Sequence, residues 1–333
     1  MNTQRILSTS LIASLLASGV WAQQSTSPKA ATATTLKANQ AVAESLAFND
    51  KVDFDEASRG LIASLSKPLV QTAEGKLVWD TERFNFIKGN APGTVNPSLW
   101  RQEKLNNVAG LFKVTEGIYQ VRGYDLANMT LVEGKTGWIV IDTLLTAEIA
   151  KATLAFAMEK LNSKKPVVAV IYTHSHADHM NGIDDLRQIV LNQRQRLPVW
   201  ADAPTQEALL SRFGYAFVQP EGSPYPSILD LRTLDGPVSI PGAGGDICFT
   251  PFRADHGSMD ALGFRIGPLA YLPDVVRIPD ESWPVLEGLD CWIVDALRRK
   301  PHPTHAHLDL TLSWIARAKP TRAILTNMHL DLD

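Results

Sequence analysis

The 333 residues, 45% hydrophobic and 20% charged, are enough to bury a full core, as one large domain or two smaller ones. A formal net charge of −3 and a pI near 6.2 exclude an electrostatic case for nucleic acid, so no nucleic-acid partner is expected. Beyond the N-terminal leader no segment runs long enough without charge to cross a bilayer, so no stable membrane span is expected in the mature protein.

In chain order, MNTQR and the uncharged run ILSTSLIASLLASGVWA predict a secretory signal peptide over residues 1–22, with cleavage after Ala22. A periplasmic or secreted protein follows from that leader. Export permits disulfides, but Cys248 and Cys291 each sit in strand-like runs, DICFT and LDCWIVDA, and are expected to be two buried thiols. Residues 23–105 read as an N-terminal extension, polar and partly disordered to about residue 40. Short helices and loops follow in AVAESLAF, DEASRGLIASLS and PSLWRQEKLNNVAG. From residue 106 the pattern becomes that of one domain running to 333. GLFKVTEGIYQVRG and NMTLVEGKTGWIVIDTL alternate as strands, TAEIAKATLAFAMEKLNS has helical spacing, and VVAVIYTH is a buried-type strand. Beyond it come a helix from NGIDDLRQIVLNQ, strand PVWAD, helix APTQEALLSRFG and the loop YAFVQPEGSPYP. ICFTPFRADHG, ALGFRIGPLAYLPD and DCWIVDAL read as strands, HLDLTLSWIARAK as a helix and RAILTNMHL as a last strand. Strands alternating with helices in both halves predict an α/β protein with its helices outside.

The chemistry concentrates at strand ends. No histidine occurs before His174, and THSHADH then places His174, His176 and His179 with Asp178 within six positions. His256 in RADHG, Asp274 in YLPD and His329 in TNMH also fall where strands end, the positions at which an α/β scaffold displays functional groups. An H-x-H pair on extended chain puts both imidazoles on one face, able to grip one cation. The following D-H lies where the chain turns and suits a second. Three imidazoles and a carboxylate packed together repel and desolvate unless a cation holds them. Imidazole and carboxylate without thiolate suit zinc, manganese or iron. Asp142, ending a strand in VIDTL, is placed to buttress a ligand histidine. Arg298, Arg299 and Lys300 read first as a solvated charge run and second as an attractor of an anionic ester.

THSHADH resembles the signature of the metallo-β-lactamase superfamily, over roughly residues 106–333. The resemblance implies an αββα sandwich, with a metal site between its sheets and here a helical N-terminal extension. NPSLWRQEKLNNVAGLFKVTEGIYQVRGYDLANMTLVEGKTGWIVIDTL through IYTHSHADH resembles the exported alkylsulfatases. RFGYAF, TPFRADHGSMDALGFRIG, YLPDVV, WIVDALRR and PHPTHAHLDL resemble the branch that includes the cyclic-phosphate phosphodiesterase of the carbon–phosphorus lyase pathway. Carried over, the pattern implies His174, His176 and His256 on a first metal and Asp178, His179 and His329 on a second. Asp274 would bridge them, and a water between the ions would become the attacking hydroxide. His307 matches that branch's additional active-site histidine, with His305 the weaker candidate for the role. The alkylsulfatases' pair of metal-binding glutamates has no convincing counterpart between residues 180 and 300. The expectation is a dinuclear hydrolase, with zinc as first choice of metal and manganese as second, cleaving a phosphodiester among small anionic esters. Sulfate-ester hydrolysis is the alternative, and a metal-binding protein without turnover the alternative of another class.

Overall fold

The structure, a computed structural model, describes residues 29–65, 69–241, 245–329 and 332. The leader read over residues 1–22 lies outside the described residues.

The extension opens with helices α1 (Ala33–Ser45) and α2 (Val52–Ser58). Gly60 then takes φ +76, a conformation glycine adopts without strain, and turns the chain into strand β1 (Leu61–Ser64). The stretch DEASRGLIASLS, read from sequence among short helices and loops, thus also contains a strand. A hairpin of β2 (Leu69–Gln71) and β3 (Leu77–Asp80), read from sequence as loop, precedes α3 (Pro97–Asn106). The Asn96 side chain caps α3 by accepting from the Ser98 amide, and Pro97 fits its first turn. Next come β4 (Gly110–Thr115), β5 (Ile118–Arg122), β6 (Met129–Glu133), β7 (Trp138–Ile141), α4 (Ala147–Lys160) and β8 (Val167–Ile171). The short α5 (Ala177–Met180) runs through a 3-10 turn into α6 (Leu186–Gln193), followed by β9 (Leu197–Ala201), α7 (Ala203–Phe217) and β10 (Leu229–Thr233). The remainder is β11 (Val238–Ile240), β12 (Ile247–His256), β13 (Met259–Ile266), β14 (Leu269–Leu272), β15 (Cys291–Asp295), α8 (Leu308–Ala318) and β16 (Arg322–Thr326).

One sheet has eight strands in the order β1-β4-β5-β6-β7-β8-β9-β10, and the other has six, β11 to β16 in sequence. Strands β7 to β10 run parallel, as do β14 to β16. The extension is thus tied in, since β1 pairs antiparallel with β4.

Side-chain alternation explains the layers. In β7, Trp138 and Val140 pack under Phe156 and Ile149 of α4, while Ile139 and Ile141 face the second sheet. In β15, Ile293 faces the first sheet, and Trp292 and Val294 pack against Trp314 of α8. Strands covered on both faces need apolar residues at every position, hence the unbroken runs WIVI and CWIV. Three apolar layers between four layers of structure give the αββα sandwich, with helices outside. The two cysteines are free thiols, Cys291 buried but Cys248 exposed. The expectation of two buried thiols is corrected by the same alternation, because Phe249 of β12 points into the core and Cys248 beside it points out.

No helix among the described residues is long and apolar enough to cross a membrane.

Candidate metal centre

The ends of β7 and β8 build one side of the site. Asp142, just past β7, is buried and uses both carboxylate oxygens. Its Oδ1 accepts the Thr173 amide at 3.0 Å, and its Oδ2 accepts the Thr173 hydroxyl and the His179 Nδ1, each at 2.8 Å. To reach this position the chain takes positive φ at Asp142 and again at Leu144, +62 and +67. For buried non-glycine residues that is strain the surroundings must hold. Two bonds hold it here: the Thr143 amide donates to the His179 carbonyl at 2.6 Å, and the Gly182 amide to the Leu144 carbonyl at 2.8 Å. Gly182 has to be glycine, since a β-carbon there would stand 1.8 Å from the Thr143 carbonyl oxygen.

The second sheet supplies the opposite side through His256 at the end of β12, Asp274 two residues past β14, and the loop between β15 and α8. Three overlapping groups result: His174, His176 and His256; His174, His179 and Asp274; and His256, Asp274 and His305. In each, the ligating atoms lie within 4.8 Å of one another. The outer ring nitrogens are spoken for, which sets the tautomers. His179 Nδ1 donates to Asp142, His256 Nδ1 to the Thr304 carbonyl at 2.8 Å, and His305 Nδ1 to Asp295 Oδ2 at 2.7 Å. The His174 Nδ1 meets the Thr173 hydroxyl at 2.9 Å. Each imidazole so held keeps Nε2 as a lone-pair donor.

Electrostatics without an ion are unfavourable. Burial, then the neighbouring His179, His176 and His256, hold the His174 imidazole far below its ordinary range. Burial works against charge on His179 too, but Asp142, helped by Asp274 and Asp178, raises its pKa to about 9. Burial lifts the Asp295 carboxyl to about 6 against the bond from His305. Burial also opposes a proton on His305, yet Asp295 outweighs it and raises the imidazole.

Asp178, on α5, stands at the edge with a third of its side chain exposed and Oδ2 3.7 Å from His179 Nε2. His329 is exposed on the loop after β16 and lies outside the three groups. His307 is also outside them; it is the N-cap residue of α8. Of the two neighbouring histidines it is His305 that reaches the cluster. Asp295 was missed altogether, although its signal was the one that marked Asp142: an aspartate ending an apolar strand. Arg298 folds back on the carbonyls of Lys300 and Pro301. No glutamate belongs to the three groups among the described residues.

The residues fit a divalent metal: four buried or half-buried imidazoles with fixed tautomers, aspartate oxygens and no thiolate form a donor set for zinc or a similar ion.

Comparison with known proteins agrees with this geometry. The family model described as "Beta-lactamase superfamily domain" matches residues 137–328. A linear primary-alkylsulfatase from a Pseudomonas species is 51% identical over 176 residues, 52% of this chain and 26% of that protein. The chain spans about a quarter of the length of the curated relatives it matches. Among solved structures, the stereoselective inverting sec-alkylsulfatase from Pseudomonas superposes with a TM-score of 0.62 at 28% identity, covering 87% of this chain and 54% of that one. A diphosphatase from the PhnP family gives 0.50 at 30% identity, covering 61% and 73%. With a family model matched over more than half of its length and a metal-ligating cluster between two sheets, this chain belongs to the metallo-β-lactamase superfamily.

Proposed function

We propose that the protein is a dinuclear metal-dependent hydrolase of small anionic esters, with phosphodiesters as its preferred class. In this reading His174, His176 and His256 hold one divalent ion, and His179, Asp178 and Asp274 the other, with His329 as its remaining ligand. Zinc suits this donor set best and manganese next. The ions, when bound, supply an activated water and withdraw charge from the ester oxygens. The chain's residues do the rest. Asp142 fixes His179, Asp178 would orient the attacking water, and His305, anchored through Nδ1 on Asp295 and raised by that carboxylate, would take up a second proton on Nε2 and pass it to the leaving oxygen.

The observation that carries the phosphodiester preference is the Asp295–His305 pair beside a cluster that, among the described residues, includes no glutamate. A bis-aryl phosphodiester is therefore expected to turn over faster than the matching aryl sulfate, measured with zinc and with manganese. The similarity to alkylsulfatases favours sulfate esters as a second reading, and a clear preference for the sulfate would replace the first. Two retained ions with no turnover of either ester would leave a metal-binding protein.

Asp295 acts through His305, so Asp295→Asn is expected to lower kcat roughly 10- to 100-fold with little change in KM. The isosteric amide keeps the packing while it loses the charge. Steady-state kinetics check this; an unchanged kcat removes His305 from the reaction.

A further inference from the structure

Arg122 ends β5, with its side chain on the same face as Ile118 and Gln120, the face turned toward the second sheet. Its Nε donates to Gln120 Oε1 at 2.8 Å, and its guanidinium carbon lies 4.2 Å from the centre of the buried Phe112 ring. Among the described residues no carboxylate pairs with it. Neither η nitrogen has a protein partner, and neither is sealed from solvent. Arg101, by contrast, is buried and has Asp53 at 2.8 Å. A half-buried cation with no carboxylate beside it loses part of its hydration without a counter-ion in exchange, and one bond to a neutral amide with stacking on a ring makes up only part of that. What the arrangement does provide is a rigid guanidinium fork, its stem fixed and its two outer donors open, the geometry that grips an oxyanion through two parallel bonds.

Its position is informative. Gln120 pairs with Thr130, and Thr130 with Ile141, so Arg122 lies level with the residues just past Ile141, at the end of the sheet that carries the cluster. Two strand spacings, roughly 10 Å, separate its backbone from that of the Asp142 loop. The buried Tyr271 phenol of the second sheet lies within electrostatic reach of Arg122, Asp142 and Asp274. The guanidinium leans over Phe112 of β4, on the side of β5 away from β7, so it points away from the cluster and suits a part of the same molecule other than the scissile group.

We propose that Arg122 is the receptor for a tetrahedral oxyanion, sulfate or phosphate, carried by the substrate away from the bond that is cut. Its part in turnover rests on the hydrolase reading above; the anion binding does not.

The first test is calorimetric titration of the chelator-treated full chain with inorganic sulfate at constant ionic strength, which removes any anion site on a metal. Wild type is expected to bind, and Arg122→Gln to bind at least tenfold more weakly. Equal affinity, or no binding by wild type, overturns the proposal. Should Arg122→Gln not fold, Arg122→Lys keeps the charge but loses the fork and is expected to bind at least fivefold more weakly, with unchanged affinity again overturning it. The second test compares KM of the metal-loaded protein for an aryl ester bearing a distant sulfate and for its neutral counterpart. Wild type is expected to favour the anionic ester about tenfold and Arg122→Gln to lose that preference; equal KM values in wild type overturn the substrate role. If neither ester is turned over, the hydrolase reading fails while the calorimetric result stands on its own.

Discussion

Asp178→Ala is expected to abolish hydrolysis of every ester substrate, by roughly a thousandfold or more, while leaving the fold intact. The two effects separate because of where the side chain stands. One third of it is exposed, and it lies 3.7 Å from His179 Nε2 at the rim of the cluster. Its loss therefore opens no cavity and, in the metal-free protein, should move stability by no more than about 0.5 kcal/mol. A thousandfold in rate is about 4 kcal/mol of barrier. Retention of more than about a tenth of the activity, about 1.4 kcal/mol, would remove Asp178 from the reaction. The metal-free protein offers an independent check. Asp178 is one of the carboxylates that raise His179, so in the variant that imidazole should titrate below the pKa of about 9 it has beside all three. Histidine NMR would show it.

Gly182→Ala should have the largest effect on stability. The added methyl would stand 1.8 Å from the Thr143 carbonyl oxygen and 3.0 Å from the Ala150 β-carbon, and the first of these is rigid backbone. Overpacking of this kind costs about 1–3 kcal/mol, and more when backbone must move. The loop that would move is the one held at positive φ at Asp142 and Leu144. Its displacement would pull Asp142 from His179, so metal affinity should fall with the melting temperature. A variant that melts like wild type and retains its metal would mean that the loop relaxes freely and that its strain has no role in placing His179.

The central strands were legible because each is covered on both faces: VVAVI, WIVI and CWIV cannot be solvent-facing, and their ends point to the chemistry. The edges were not. LIAS of β1 carries the composition of a helix continuing from DEASRG, and only the backbone of Gly60 decides otherwise. The metal motif was readable since four side chains of ligand type fall within six residues. The loop HPTHAH was not, because spacing cannot tell which imidazole turns inward; that depends on Asp295, ten residues before His305 and buried. Arg122 gave no signal at all. In QVRG it reads as an ordinary polar strand end, and only the missing counter-ion sets it apart.

His174, His176 and His179 leave the eight-stranded sheet, whereas His256, Asp274 and His305 come from the six-stranded one, and a backbone bond near them, from the Leu262 amide to the Thr173 carbonyl, crosses the same gap. An ion gripped from both sides would be a rivet through the sandwich. Its full set of ligands would exist only once the two halves have docked, so its binding would favour the docked state. Stripping it would do more than stop turnover: amide exchange in β12 to β14 should quicken as the halves begin to breathe, and the supply of metal would govern how long the folded protein lasts.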